Sequence, residues 1–305
     1  MAANKIRRNA LAACAALAIG TLTLTACDSG DTAGSLTDGT SAKPATDGDL
    51  TNLSAPGTQG LNYVALGSSF AAGPSIPPIQ SSSGAAECQR SGNNYASIVA
   101  RDIGAKLTDV TCSGATTANI LTTNQGSRPP QINAVNSATD LVTITIGGND
   151  INYLGSMNTY SCQNTGGKNC GTVDQNAMNS AIGGIRQRLE NVLNAVHARA
   201  PRARVLLVSY SSILPDTGGC TGVPLNQDQR IFERTVSARL AQANIDATNN
   251  THSTLVRFRT GSHGHDACSA SPWVEKYQPA SGRASYHPNE AGMKGAASLV
   301  EAALR

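Results

Sequence analysis

The chain has 305 residues, 40% hydrophobic and 14% charged, enough apolar material for a core beneath a lightly charged surface. Lys and Arg number 23 against 20 Asp and Glu, and three of the basic residues (Lys5, Arg7 and Arg8) fall within the first 26 positions, where there is no acid. The remainder balances at 20 against 20, lacks a basic stripe, and so lacks the electrostatic footprint of a nucleic-acid binder.

The first element is a leader. Its three basic residues precede an apolar stretch from 10 to about 24, too short for a comfortable membrane span, and small residues follow. Leu24-Thr25-Ala26-Cys27 is similar to a bacterial lipobox, in which the cysteine is acylated and becomes the mature N-terminus. An ordinary signal peptide cut near Ala26 is the plainer alternative. We read 1–26 as a lipoprotein signal peptide and Cys27 as its lipidation site. Residues 27–60 are mostly Ser, Thr, Gly, Asp, Ala and Pro. They offer too little apolar surface to offset the entropy of ordering, and so read as a flexible tether. Residues 61–305 have the length of one α/β domain with long loops.

Within that domain, segments 61–67, 106–112, 141–147, 204–210 and 254–258 read as strands. They are mostly continuous Val/Ile/Leu runs, the pattern of a parallel sheet covered on both faces. Between them, 95–103 has a helical period, and 173–200 reads as one long helix ended by Pro201. Segment 228–249 keeps a helical spacing with Ile231, Phe232, Val236, Leu240 and Ile245 facing inward, and a last helix runs from Pro288 towards Leu304. This alternation implies a doubly wound α/β fold. The irregular segments, 68–89, 149–172, 211–225 and 260–286, all follow strands. They leave the carboxyl edge of the sheet, where open α/β sheets hold their ligands.

Of eight cysteines, Cys14 leaves with the leader and Cys27 is the lipid site. Cys88, Cys112, Cys162, Cys170, Cys220 and Cys268 remain, an even set that in an exported chain reads as three disulfides with 15 possible pairings. A zinc site is the weaker alternative, since there is no pair of C-x-x-C motifs.

Four short motifs lie at the carboxyl edge. Gly67-Ser68-Ser69-Phe70 follows the first strand; Ala71 rules out a G-x-S-x-G elbow. Cys112-Ser113-Gly114-Ala115 follows the second. Gly147-Gly148-Asn149-Asp150 ends the third, where an Asn carboxamide can donate to developing negative charge. His287-Pro288-Asn289 opens the last helix. A residue before proline is pushed to extended geometry, and the nearby positive helix end keeps an imidazole neutral. Taken alone, three of the motifs read as a turn, a loop glycine or a cap, and Gly147-Gly148-Asn149-Asp150 reads equally as a turn or a functional loop. In this order, the set resembles the SGNH hydrolase (GDSL esterase/lipase) superfamily, over about 63–304.

The resemblance implies a flavodoxin-like three-layer α/β/α sandwich with a five-stranded parallel sheet. In the family's Gly-Asp-Ser block Ser68 takes the aspartate position and Ser69 the nucleophile position. His287 becomes the base, and the Ser69 and Gly114 N–H groups with the Asn149 side chain become the oxyanion hole, with no metal or organic cofactor. A secreted branch of the family implies the pairs Cys88–Cys112, Cys162–Cys170 and Cys220–Cys268. One departure stands out: the family commonly has Asp three residues before the histidine, and here that residue is Ala284. The Ala284 carbonyl is expected to orient His287 instead, with Asp266 and Glu275 as the candidates for a displaced acid. His263 and His265 alternate as metal ligands could. No further ligand cluster supports them, so a structured cleft wall is the expectation. The function implied is an extracytoplasmic carboxylic-ester hydrolase, monomeric and held to the membrane by its N-terminal lipid, acting on a small-molecule or lipid ester. A carbohydrate O-deacetylase, a phospholipase, or a catalytically silent binding lipoprotein are the alternatives.

Overall fold

The computed structural model describes residues 60–305; the leader, Cys27 and the tether up to residue 59 lie outside the described residues. In chain order the elements are β1 (Asn62–Gly67), α1 (Ser69–Ala72), α2 (Tyr95–Asp102), β2 (Lys106–Asp109), α3 (Thr117–Leu121), a 3-10 turn (Gln131–Ala134), β3 (Leu141–Thr145) and α4 (Tyr153–Asn164). Then follow α5 (Gln175–Gly183), α6 (Ile185–Arg199), β4 (Arg204–Val208), α7 (Gln227–Thr251), β5 (Thr254–Val256), α8 (Phe258–Gly261) and α9 (Glu290–Leu304).

All five strands are parallel and ordered β2-β1-β3-β4-β5. This is the flavodoxin-like order, whose switch point lies between β1 and β3. The two-residue period of each strand divides its side chains between two cores. Val64, Leu66, Val142, Ile144, Val205 and Leu207 join the core shared with α4, α6 and α7. Tyr63, Ala65, Leu141, Leu206 and Val208 face α2 and α9. The buried phenols stay hydrogen-bonded, Tyr63 to Thr143 at 2.7 Å and Tyr95 to Thr145 at 3.0 Å. The sheet is therefore an apolar slab between two helical layers, and its carboxyl edge collects the loops.

Four expectations are corrected. β1 ends at Gly67 as expected, but the other four strands stop two or three residues short of their predicted ends, because the chain must turn out of the sheet to build the edge loops; β2, an edge strand, is also half exposed. The stretch 173–200 is two helices, α5 and α6, parted at Gly184, a residue that destabilises a continuous helix. Segment 149–172 contains α4, in which Gly, Ser, Asn and Thr surround a short buried row of Tyr153, Leu154, Met157 and Tyr160, too polar a setting for the helix to be read from sequence. In α7 the inward row is Glu233, Val236, Ser237, Leu240, Ala243, Asn244 and Ala247. Ile231 is 52% exposed, and Phe232 and Ile245 are half-buried. The helix is rotated so that polar and small residues share its buried face.

The disulfides are Cys88–Cys112, Cys162–Cys170 and Cys220–Cys268, the pairs implied by the resemblance. The first ties the β1 loop to the end of β2. The second fastens the end of α4, and the third joins the β4 and β5 loops. Each cross-link restrains the carboxyl edge.

Candidate active site

At the end of β1 the sheet narrows to one neighbour. Gly67 still pairs with Thr145 of β3, but β2 has already left after pairing Asp109 with Ala65. The Gln131 side chain fills the gap this leaves, accepting from Gly67 N at 2.8 Å and donating to Gly67 O at 3.0 Å, an oxygen that also accepts from Cys112 N at 3.0 Å. Gly67 has φ +143°, and a Cβ there would sit 2.5 Å from the Thr145 carbonyl oxygen; only glycine allows this approach. The two serines that follow diverge. Ser68 is buried, its Oγ 3.3 Å from the Tyr210 hydroxyl. Ser69 starts α1 and turns its Oγ to His287 Nε2, 2.8 Å away.

His287 is set by the turn before it. Tyr286 has φ +60°, a left-handed conformation unusual for a bulky residue. It is held there by full burial, by a 2.6 Å hydrogen bond between its hydroxyl and Ser161, and by stacking against Tyr277. The left-handed step swings the Ser285 carbonyl back to 2.8 Å from His287 Nδ1. The expected Ala284 carbonyl does not take this role, because it accepts the His287 backbone N–H at 3.3 Å. Asp266 and Glu275 do not take it either: Asp266 accepts from Cys268 N at 2.8 Å, and Glu275 pairs with Arg283 at 3.4 Å. A carbonyl can only accept, so Nδ1 carries the hydrogen and Nε2 is free to accept from Ser69. Burial pushes the imidazole down to about 4, opposed by the Ser285 carbonyl. Phe70 packs 5.5 Å from the ring, centroid to centroid. The histidine is thus neutral at ordinary pH.

The two remaining motifs are tied together. Asn149 is exposed at the edge, and its Nδ2 donates to Ala115 O at 2.8 Å, leaving a second amide hydrogen uncommitted. Asp150 accepts from Thr117 N at 3.0 Å and from Thr117 Oγ1 at 2.5 Å. These bonds lash the Gly114 loop, where φ is +84°, to the end of β3. Among the described residues neither Ser69 N–H nor Gly114 N–H donates to another group. Tyr210 completes the frame by accepting from Gly148 N at 2.9 Å, and a Cβ on Gly148 would meet that hydroxyl at 2.6 Å. A hydroxyl bound to a neutral imidazole, beside uncommitted N–H donors, is suited to acyl transfer.

Gln131, Tyr210, Asp150 and the Ser285 carbonyl escaped the sequence reading. Asp150 could have been found, since it closes the Gly-Gly-Asn-Asp motif; the others carry no local signal. His263 and His265 diverge, His263 pairing with Asp216 at 2.9 Å while His265 donates to Ser271 O and stacks on Trp273 at 4.2 Å. Among the described residues no group of three or more His, Cys, Asp or Glu could hold a metal ion.

The model of the GDSL-like lipase/acylhydrolase family matches residues 65–294. Lipase 2 of Streptomyces coelicolor is 35% identical over 266 residues, covering 83% of this chain and 89% of that protein. A lipase of Streptomyces rimosus is 32% identical, covering 79% and 85%. Among solved structures, the extracellular lipase from Streptomyces rimosus superposes with a TM-score of 0.64 at 30% identity, over 80% of this chain and 99% of that one. Phospholipase A1 from Streptomyces albidoflavus gives the same TM-score and coverage at 24% identity, a likeness of fold.

Proposed function

The protein belongs to the GDSL-like lipase/acylhydrolase family and is a serine ester hydrolase, and from that premise we propose that Ser69 is its nucleophile and His287 its general base. The observation that carries the reading is the 2.8 Å contact between Ser69 Oγ and His287 Nε2. His287 takes the hydroxyl proton as Oγ attacks the ester carbonyl. The Ser69 and Gly114 N–H groups and the free Asn149 amide hydrogen receive the oxyanion. The imidazolium then protonates the departing alcohol, leaving an acyl-enzyme, and water activated by the same ring releases the carboxylate. The Ser285 carbonyl holds the tautomer throughout. This sequence calls on no metal and no organic cofactor.

Residues 61–305 are the catalytic domain in this reading, a monomer exported across the cytoplasmic membrane. Three disulfides support export, since they persist outside the reducing cytoplasm. Among the described residues no helix is long and apolar enough to cross a membrane. We assign membrane attachment to acylated Cys27, on the Leu-Thr-Ala-Cys motif alone.

Covalent labelling by a fluorophosphonate tests the nucleophile. Ser69→Ala should abolish labelling and Ser68→Ala should retain it. Labelling of folded Ser69→Ala protein at another serine of the edge would overturn the assignment.

A further inference from the structure

A second concavity opens between α7, α8 and the segment after β4. Its volume is about 480 Å³, and none of Ser69, Gly114, Asn149 or His287 lines it. Tyr153, Tyr210 and Phe70 form a ring-to-ring wall between it and His287, with centroid separations of 6.3, 4.6 and 5.5 Å. It is a separate chamber of the same edge.

Its polar inventory is unbalanced. Glu233, on the inward face of α7, is fully buried, and neither carboxyl oxygen has a hydrogen-bond partner. The neighbouring Ser156 hydroxyl donates to the Tyr153 carbonyl at 2.8 Å instead. Buried polar groups are seldom left unpaired, and an exception asks for an explanation. Three arginines also line the chamber. Arg234 is committed to the Pro215 and Gly218 carbonyls, both at 2.6 Å, and Arg239 to Asn179 at 2.8 Å. Arg259 makes only a 3.5 Å contact through Nε to Ser237, and its terminal nitrogens have no partner among the described residues. The other acid of the lining, Asp216, faces His263. Ile213, Leu214 and Ala238 add an apolar wall.

We propose that this chamber is a second ligand site, for a small carboxylate carrying a short alkyl chain. One ligand oxygen accepts from Arg259, whose planar fork matches a carboxylate. The other accepts the proton of Glu233. With no exposed surface of its own, the Glu233 carboxyl meets the ligand through a rotamer change into the chamber. The alkyl chain lies against Ile213, Leu214 and Ala238. Three guanidinium groups disfavour a cation, and the apolar wall favours an alkyl carboxylate over an inorganic anion.

The sharing of a proton gives the site a pH signature. Burial pushes Glu233 up to about 8, so it donates at pH 7 and repels a carboxylate once ionised. The other groups that face it do not ionise in this interval. Tyr153 of α4 and Tyr286 of the loop before His287 are both raised by burial, Tyr286 to about 12, and the guanidinium groups beside Glu233 are those of Arg259 in α8 and Arg234 in α7. Binding is therefore strongest at about pH 7 and below and falls off as pH rises through about 8.

Calorimetric titration of the full chain with octanoate tests this. We expect saturable binding at pH 7, weakened about tenfold or more at pH 9.5. Glu233→Gln keeps a neutral donor and should bind at both values. Arg259→Gln, and separately Ala238→Phe, which fills the chamber without touching its polar groups, should each weaken binding about tenfold at pH 7. The proposal fails if octanoate does not bind saturably, or if both Arg259→Gln and Ala238→Phe bind normally. It also fails if phosphate binds as tightly as octanoate, or if fluorophosphonate modification of Ser69 abolishes binding, which would put octanoate in the ester-cleaving cleft.

Discussion

The position of the acid limb in the pH–rate profile tests the site directly. In the proposed mechanism neutral His287 takes the Ser69 proton, and burial pushes the imidazole down to about 4. At pH 5 about nine-tenths of such a ring is neutral, whereas an unshifted imidazole at 6.5 would be about 3% neutral. The structure therefore expects kcat/KM at pH 5 to stay near its plateau, where an unshifted base would have lost about thirtyfold. A carboxylate against Nδ1 would raise the histidine by 1–3 units, so the limb also reports whether a carbonyl or an acid orients the ring. The same depression has a stability cost with a definite sign. The unfolded histidine binds its proton near 6.5 and the folded one near 4, so stability falls as pH drops below 6.5, by about 2 kcal/mol at pH 5. Initial rates on a soluble nitrophenyl ester, with circular dichroism at each pH to confirm folding, separate the two effects. Asp266→Asn and Glu275→Gln should leave both the limb and most of kcat unchanged. A limb near 6.5 in folded enzyme, or a collapse of kcat towards 10⁴-fold in either amide variant, would refute the carbonyl and reinstate a triad.

Two further outcomes follow from the same geometry. Asn149→Ala should lower kcat by about 10²–10³ with a smaller change in KM, because its free amide hydrogen acts on charge that develops only in the transition state; near-normal kcat in folded protein would return Gly-Gly-Asn-Asp to the status of a turn. Intact mass of protein taken from its native membrane should give an N-terminus at Cys27 bearing a diacylglyceryl group, since two chains anchor stably where one is marginal, and an unmodified N-terminus at Asp28 or beyond would exclude the anchor.

Much of the fold was legible because its signals are local. The buried strands are runs of β-branched and leucine residues, and each of the four motifs ends or follows a strand or opens a helix. The sheet order β2-β1-β3-β4-β5 was implied only by the flavodoxin-like resemblance, since alternating strands and helices leave several orders open. Legibility failed where tertiary contacts overrode local preference. Helix α4 is built largely from Gly, Ser, Asn, Thr and Tyr, weak helix formers, and is held by the burial of Tyr153, Met157 and Tyr160. The phase of α7 could not be read because Glu233, Ser237 and Asn244 occupy its buried row, where a periodicity argument expects apolar residues. Ile231, the most hydrophobic type in the segment, is the one left outside.

The same reasoning explains why the orienting group of His287 was placed one residue away from where it lies. Ala284 marks a missing side chain, and from sequence the natural inference is that the backbone of that residue replaces it. Which carbonyl reaches the ring is decided by a dihedral angle, and no composition or spacing encodes it. Here the left-handed Tyr286 makes the choice. Its conformation is unfavourable for an aromatic residue, and the Ser161 hydrogen bond and the Tyr277 stack offset that cost. Ser161 belongs to α4 and is followed directly by Cys162 of the second disulfide. The helix that sequence could not announce therefore holds the turn that aims the proposed base, and every residue of that chain of contacts lies outside the four motifs by which the site was recognised.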